Sequence, residues 1–140
     1  MRTPDPAYSP LAAEGLHEEL KMRVTILSGM HIPRPDGSLE GEVIDPYVKV
    51  RIRGHPDEKP NKNRTEPVRN NGFNPVWNTA FDFSVKLPSL AFLEFRVKDH
   101  SKSGTDHDIG AFCCPLNLIQ PGMYLLLCLL RKKETVNNVC

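Results

Sequence analysis

The stretch VKDHSKSGTDHDIG, residues 97–110, gathers carboxylates and hydroxyls at a spacing that suits a bound cation. Asp99, Ser101, Ser103 and Gly104 match the opening of a helix-flanked calcium loop, D-x-[DN]-x-[DN]-G, with serine at the second and third ligand positions. The match then fails. The closing glutamate of such a loop falls on Gly110, and Asp106 stands where an aliphatic residue belongs. A loop of that kind also needs a helix on each side, so the flanking elements decide the chemistry.

Those elements read as strands. Met22, Val24 and Ile26 alternate with Arg23 and Thr25; Val48, Val50 and Ile52 alternate with Lys49, Arg51 and Arg53. Phe81, Phe83, Val85 and Leu87 alternate with Asp82, Ser84 and Lys86, and Leu93, Phe95 and Val97 with Glu94, Arg96 and Lys98. Period-two alternation marks strands buried on one face. Proline, which cannot donate to a sheet ladder, is absent from 22–28, 47–53, 78–87, 90–98 and 122–130 and collects between them. Weaker strands are expected at 63–69, 109–114 and 123–130, and the one helical candidate is 12–21. The fold class is therefore all-β, an antiparallel sandwich of seven to eight strands over 22–130. A leader covers 1–21, and a basic polar tail of irregular pattern at 131–140 leaves the last strand in doubt. No flanking helices remain, and the helix-flanked loop is excluded.

Composition narrows the class further. At 140 residues and a formal charge of +1, the chain fits one domain with no bulk attraction for nucleic acid. Cys113, Cys114, Cys128 and Cys140 show neither paired nor C-x-x-C spacing, and the N-terminus lacks an apolar signal-like run, so reduced thiols in a cytoplasmic protein are expected. The apolar run 123–130 is far shorter than the roughly 20 residues of a spanning helix. No nucleophile elbow, acid–base carboxylate pair or phosphate-cradling glycine loop is evident, and an enzyme is not expected.

If successive strands reverse direction, the connections after the first, third and fifth share one end. They bring Asp36, Glu40, Glu42 and Asp45, the turn Asn70-Asn71-Gly72, and Asp99, Asp106 and Asp108 to a common apex. Oxygen ligands on flexible loops suit Ca²⁺, which takes six to eight of them.

VTILSGMHIP (24–33), VIDPYVKVRIRG (43–54), NNGFNPVWN (70–78), LAFLEFRVKD (90–99) and DIGAF (108–112) follow one another in an order that resembles a C2 domain. The likeness is greatest to the C-terminal C2 module of phosphoinositide-specific phospholipases C of the delta type. It implies an eight-stranded sandwich whose apical loops hold Ca²⁺ and touch anionic membrane, with catalysis located elsewhere in a longer protein. It places Asp45 in the first calcium loop, Asn70 in the second and Asp99 in the third. Ser101 and His107 stand where the family has further aspartates, and a slip of one residue would recruit Asp106 or Asp108. Each lost carboxylate weakens the site.

Lys49, Arg51 and Arg53 share one strand face, with Lys59, Lys62, Arg64 and Arg69 following. Such a face attracts anionic headgroups, although a plain solvated surface has the same composition. Met30, His31 and Ile32 form either a loop-tip wedge or a packing layer, and Phe73 is expected to pack the NNGFNP turn. Zinc at His100, His107, Cys113 and Cys114 is disfavoured, because adjacent strand cysteines point to opposite faces. The reading is a non-catalytic module, peripheral at anionic membranes, with weak Ca²⁺ dependence. The alternative is a calcium-independent protein-interaction domain with an exposed sheet edge.

Overall fold

The computed structural model describes residues 19–35, 43–54 and 63–122. Five strands form among the described residues: β1 (Leu20–Ser28), β2 (Pro46–Arg53), β3 (Val76–Val85), β4 (Phe92–Asp99) and β5 (His107–Pro115). β1 pairs antiparallel with β3, while β2, β4 and β5 make a second antiparallel sheet in the order β2-β4-β5. Short 3₁₀ turns at Pro88–Leu90 and Leu116–Leu118 close the end away from the apex.

The two sheets face each other across the apolar half of each alternating strand. Val48, Val50 and Ile52 of β2, Leu93 and Phe95 of β4, and Phe83 and Val85 of β3 are buried together, with Met22, Val24, Ile26 and Trp77 packed against them. Burial of these β-branched and aromatic side chains drives assembly and fixes the register, since a slip of one residue would turn each strand inside out.

Several boundaries differ from the sequence reading. β3 starts and ends two residues before the expected 78–87, and a 3₁₀ turn led by Pro88 precedes β4. Leu20 and Lys21, read as the end of a helix, open β1. The segment expected as a strand at 63–69 reaches β2 through a single bridge, Lys49 to Arg64. It is held there by Val50 N to Asn63 O, Thr65 N to Val48 O and Val68 N to Pro46 O. Pro67 interrupts any further ladder. The buried Thr65 hydroxyl accepts from Val48 N at 2.9 Å, so a side chain replaces a missing backbone partner. The strand expected at 123–130, the tail at 131–140 and the leader to residue 18 lie outside the described residues.

Cys113 is disulfide-bonded, which corrects the expectation of reduced thiols throughout, while Cys114 carries a free thiol. Among the described residues no helix is long and apolar enough to cross a membrane.

Candidate functional site

The ends of β1 and β4 and the starts of β2, β3 and β5 lie at one end of the sandwich, so three loops converge there as the alternation implied. The first and second loops are laced by backbone bonds: Gly29 N to Pro75 O, His31 N to Phe73 O and Ile32 N to Gly72 O. A Cβ on Gly72 would lie 2.8 Å from the Ile44 side chain and 2.9 Å from the Ile32 carbonyl, so only glycine permits this approach. Asn70 turns the chain with φ 52°, a conformation asparagine tolerates, and the Asn71 side chain accepts from Asn74 N at 3.0 Å.

Carboxylates tie the remaining loops together. Asp45, itself buried, accepts from Asn70 N at 2.7 Å, and Asp99 accepts from Asp45 N at 2.8 Å. His100 N donates in turn to the Asp45 carbonyl at 3.0 Å. Asp45, Asn70 and Asp99, named from three distant segments, are thus brought together, with Asn70 contributing its backbone N–H.

Asp106 and Asp108 turn elsewhere. Asp106 accepts from the Tyr47 hydroxyl at 2.6 Å and from Ser101 N at 2.9 Å, and lies 3.1 Å from His100 Nδ1. Burial alone would raise its carboxyl, but the bonds from Tyr47 and Ser101 and the His100 ring hold it below the usual carboxylate range. The Tyr47 phenol is pushed up, first by burial and then by Asp106. Asp108 lies 3.5 Å from Lys98 Nζ, its neighbour across the β4–β5 ladder. Among the described residues, no group of three or more His, Cys, Asp or Glu gathers at a spacing that would hold a metal ion. Asp36, Glu40 and Glu42 of the first loop lie outside the described residues.

The outer face of the β2-β4-β5 sheet has the opposite charge. Lys49, Arg51 and Arg53 alternate outward from β2, opposite Arg96, Glu94 and Phe92 of β4 in the cross-strand register. Glu94 is only 1% exposed, and its carboxylate accepts from Arg51, from Arg53 at 3.0 Å and from Arg96 at 2.6 Å. Burial would raise the Glu94 carboxyl, yet the bonds from Arg51, Arg96 and Arg53 outweigh it and hold the group at about 2. Arg64 lies over the Tyr47 ring, 5.4 Å from its centroid. The Lys49 ammonium is pushed down, first by desolvation and then by its cationic neighbours Lys98 and Arg64. Lys62 lies outside the described residues. Among the described residues, six cations (Lys49, Arg51, Arg53, Arg64, Arg96, Lys98) therefore meet three carboxylates (Glu94, Asp106, Asp108) on this face and its apex end.

Sequence reasoning missed the part played by Tyr47, Glu94, Arg96 and Lys98. The signal was available only through register, since Glu94 opposes Arg51 and Lys98 opposes Tyr47 across the β2–β4 ladder. Phe73 corrects another expectation: it does not pack beneath the turn but stands 66% exposed, edge-on to His31 with ring centroids 4.6 Å apart. Met30 is 71% exposed and Val43 50% exposed at the same end.

A two-sheet antiparallel sandwich with three loops gathered at one end defines a class of all-β module. A family model described as "C2 domain" matches residues 20–126, and the chain belongs to that family. C2 domains in general bind phospholipid membranes or proteins, and commonly Ca²⁺. The chain is 38% identical over 118 residues to the human "Inactive phospholipase C-like protein 1", covering 84% of this chain and 10% of that protein. It is 30% identical over 124 residues to the Xenopus laevis "1-phosphatidylinositol 4,5-bisphosphate phosphodiesterase delta-4", covering 87% of this chain and 16% of the relative. The chain thus spans only a small part of the curated relatives it matches. Among solved structures, a C2 domain of plant Extended Synaptotagmin 1 superimposes with a TM-score of 0.63 at 28% identity, covering 81% of this chain and 82% of that one.

Proposed function

We propose that this chain is a non-catalytic membrane-targeting module of a phosphoinositide phospholipase C-like protein, binding anionic phospholipid with weak calcium dependence. The observation that carries the reading is the cation excess on the outer face of the β2-β4-β5 sheet, next to an apex bearing the exposed apolar side chains Met30, Val43 and Phe73. Each Lys or Arg near an anionic surface contributes about 1 kcal/mol, so several acting together give measurable affinity without a metal. The apex side chains add apolar area that can enter the headgroup layer.

Weak calcium dependence is supported by the use already made of the carboxylates. Asp106 is taken by Tyr47, Ser101 and His100, and Asp108 by Lys98. Among the described residues, that leaves Asp45 and Asp99 as the ones that would hold Ca²⁺. Bound there, the ion would supply positive charge for a lipid phosphate. In the same assignment Lys49, Arg51, Arg53 and Arg64 contact headgroups, and the placement of the protein is peripheral at the cytoplasmic side of membranes.

Sedimentation with phosphatidylcholine vesicles, with and without 30 mol% phosphatidylserine or a phosphoinositide, tests this. Binding should require the anionic lipid, fall with added salt and change little when Ca²⁺ is chelated. A chain left in the supernatant with every anionic lipid, at low salt and with millimolar Ca²⁺, would overturn the reading in favour of a protein-interaction domain.

A further inference from the structure

The sheet edges differ in how they are finished. Among the described residues β1 and β3 pair only with each other, and β5 pairs only with β4, so three edges are bare. β3 carries the extra residue of a bulge, with Asn78 at φ 46°, and β5 carries the extra residue of another beside Gly110. Bulges of this kind twist an edge away from further pairing. β1 contributes no extra residue and has no proline, glycine or positive φ between Leu20 and Ser28. Its edge is regular.

Outside the described residues one run of this chain, 123–130, is apolar over a strand's length. The segment before β1 carries Pro4, Pro6 and Pro10, and 131–140 lacks period-two alternation. One run cannot cover three edges. Burial points to β1 as an edge left short. Val48, Val50 and Ile52 of β2 are at most 7% exposed, whereas Met22, Val24 and Ile26 of β1, with the same alternation, are only partly buried.

We propose that β1 of a second copy of this chain supplies the missing neighbour, antiparallel, about a two-fold axis at Val24. In this register Val24 faces Val24 and Met22 faces Ile26, which carries the apolar inner layer from one copy to the next. On the outer side Arg23 faces Thr25 and Lys21 faces Leu27, so no like charges stand opposite each other. Each Arg23 is already neutralised by Asp82 of its own sheet, at 2.7 and 3.0 Å. An axis at Met22 would set Lys21 against Arg23, and one at Arg23 would set that residue against itself. An axis at Thr25 would leave Leu20 and Lys21 unpaired. β1 is thus complementary to itself in one full-length register.

Edge pairing of this kind sets the two-fold axis perpendicular to the joined sheet. Both β2-β4-β5 sheets then lie on one side of it, with their basic faces looking the same way and their apexes at opposite ends. The joint use of two basic faces rests on the membrane reading above; the pairing itself does not.

The test uses the intact chain without lipid, with a non-reducing denaturing gel to show that no disulfide joins the copies. Sedimentation equilibrium from about 1 to 200 μM should show monomer and dimer in exchange, and amide exchange should slow with concentration in residues 20–28. Thr25 is exposed and lies opposite Ala80 in its own sheet, so a change there breaks no contact of the fold. Thr25→Arg sets like charges opposite each other twice, by symmetry, and should weaken dimerisation about tenfold. Thr25→Glu sets an acceptor opposite Arg23 twice and should strengthen it about three- to fivefold. If Thr25→Arg fails to fold, Thr25→Glu alone still decides.

A wild-type chain that stays monomeric at about 200 μM would overturn the proposal. So would association that both Thr25 variants weaken or leave unchanged, since a disturbed strand or a contact elsewhere does not read the sign of the charge. Protection that grows with concentration only outside 20–28 would overturn it too. Anionic vesicle binding by a strict monomer would remove the dimer and leave the membrane reading intact.

Discussion

The loop apex and the outer face of the three-stranded sheet are both rich in charge, but they use it differently. At the apex, carboxylates accept from backbone N–H groups of other loops: Asp45 from Asn70 and Asp99 from Asp45. Each uses one carboxylate oxygen to hold loops together. On the sheet face one carboxylate, Glu94, receives three arginines, and the neighbouring cations remain in excess. The apex is thus organised for shape and the face for field. Tyr47 joins them, since its hydroxyl donates to Asp106 at the apex while its ring lies under Arg64 on the face.

The sharpest way to break this arrangement is Glu94→Gln. The folded carboxyl lies at about 2, against 4.5 for the ordinary group. A depressed value contributes stability that is present above pH 4.5 and is lost as pH falls towards 2. At pH 7 the substitution should cost roughly 2–3 kcal/mol, from the size of that shift and from arginines left without their shared acceptor. Urea unfolding at pH 7, 4 and 3 should show the gap between wild type and variant narrowing with acid. A gap that is constant across this range would mean that the arginines do not hold Glu94 ionised.

A second test sharpens the contrast through affinity instead of stability. Lys49 and Arg64 are exposed members of the face, so Lys49→Met with Arg64→Gln should leave the fold intact. Vesicle affinity should drop about thirtyfold, from about 1 kcal/mol for each cation removed. Unchanged affinity in low-salt sedimentation would move the membrane contact away from the sheet.

Much of this division was legible in the sequence. The alternation of 47–53 and 90–98 gave two strands, and strand reversal alone put Asp45, Asn70 and Asp99 at one end. Glu94 was not legible, because it occupies an ordinary outward position between Leu93 and Phe95. Its meaning lies in a register that sets it opposite Arg51, and strand pairing is decided by the whole sheet. Phe73 misled for the opposite reason. An aromatic residue in a turn usually packs inward, but here Gly72 presses so closely on Ile44 that the next side chain is carried outward.

Asp106→Asn acts on the link between the two regions. The amide keeps an oxygen for Ser101 N but loses the charge that Tyr47 and His100 face, and about 1 kcal/mol of stability should go with it. The same change removes a carboxylate from the apex end of the basic face, so affinity for anionic vesicles should rise about three- to fivefold. Thermal unfolding and sedimentation on one preparation would read both effects. If stability and affinity fell together, Asp106 would be a part of the lipid site and not a restraint upon it.

The smallest expected effect concerns the metal. Asp45→Asn keeps the geometry needed to accept from Asn70 N, because the asparagine oxygen can replace Oδ1, but a neutral acceptor at this buried position is weaker, so the calcium-free fold should lose about 0.5–1 kcal/mol. What it removes is one of the two carboxylate charges left for Ca²⁺. With a dissociation constant of roughly 10⁻³ M, 5 mM Ca²⁺ should stabilise the wild-type chain by about 1 kcal/mol, through mass action alone. The variant should lose that gain. Stabilisation that survives in Asp45→Asn would locate the ion away from the apex. No stabilisation of the wild-type chain at 5 mM Ca²⁺, with or without anionic vesicles, would leave the apex carboxylates as loop ties alone, and membrane binding to the basic face.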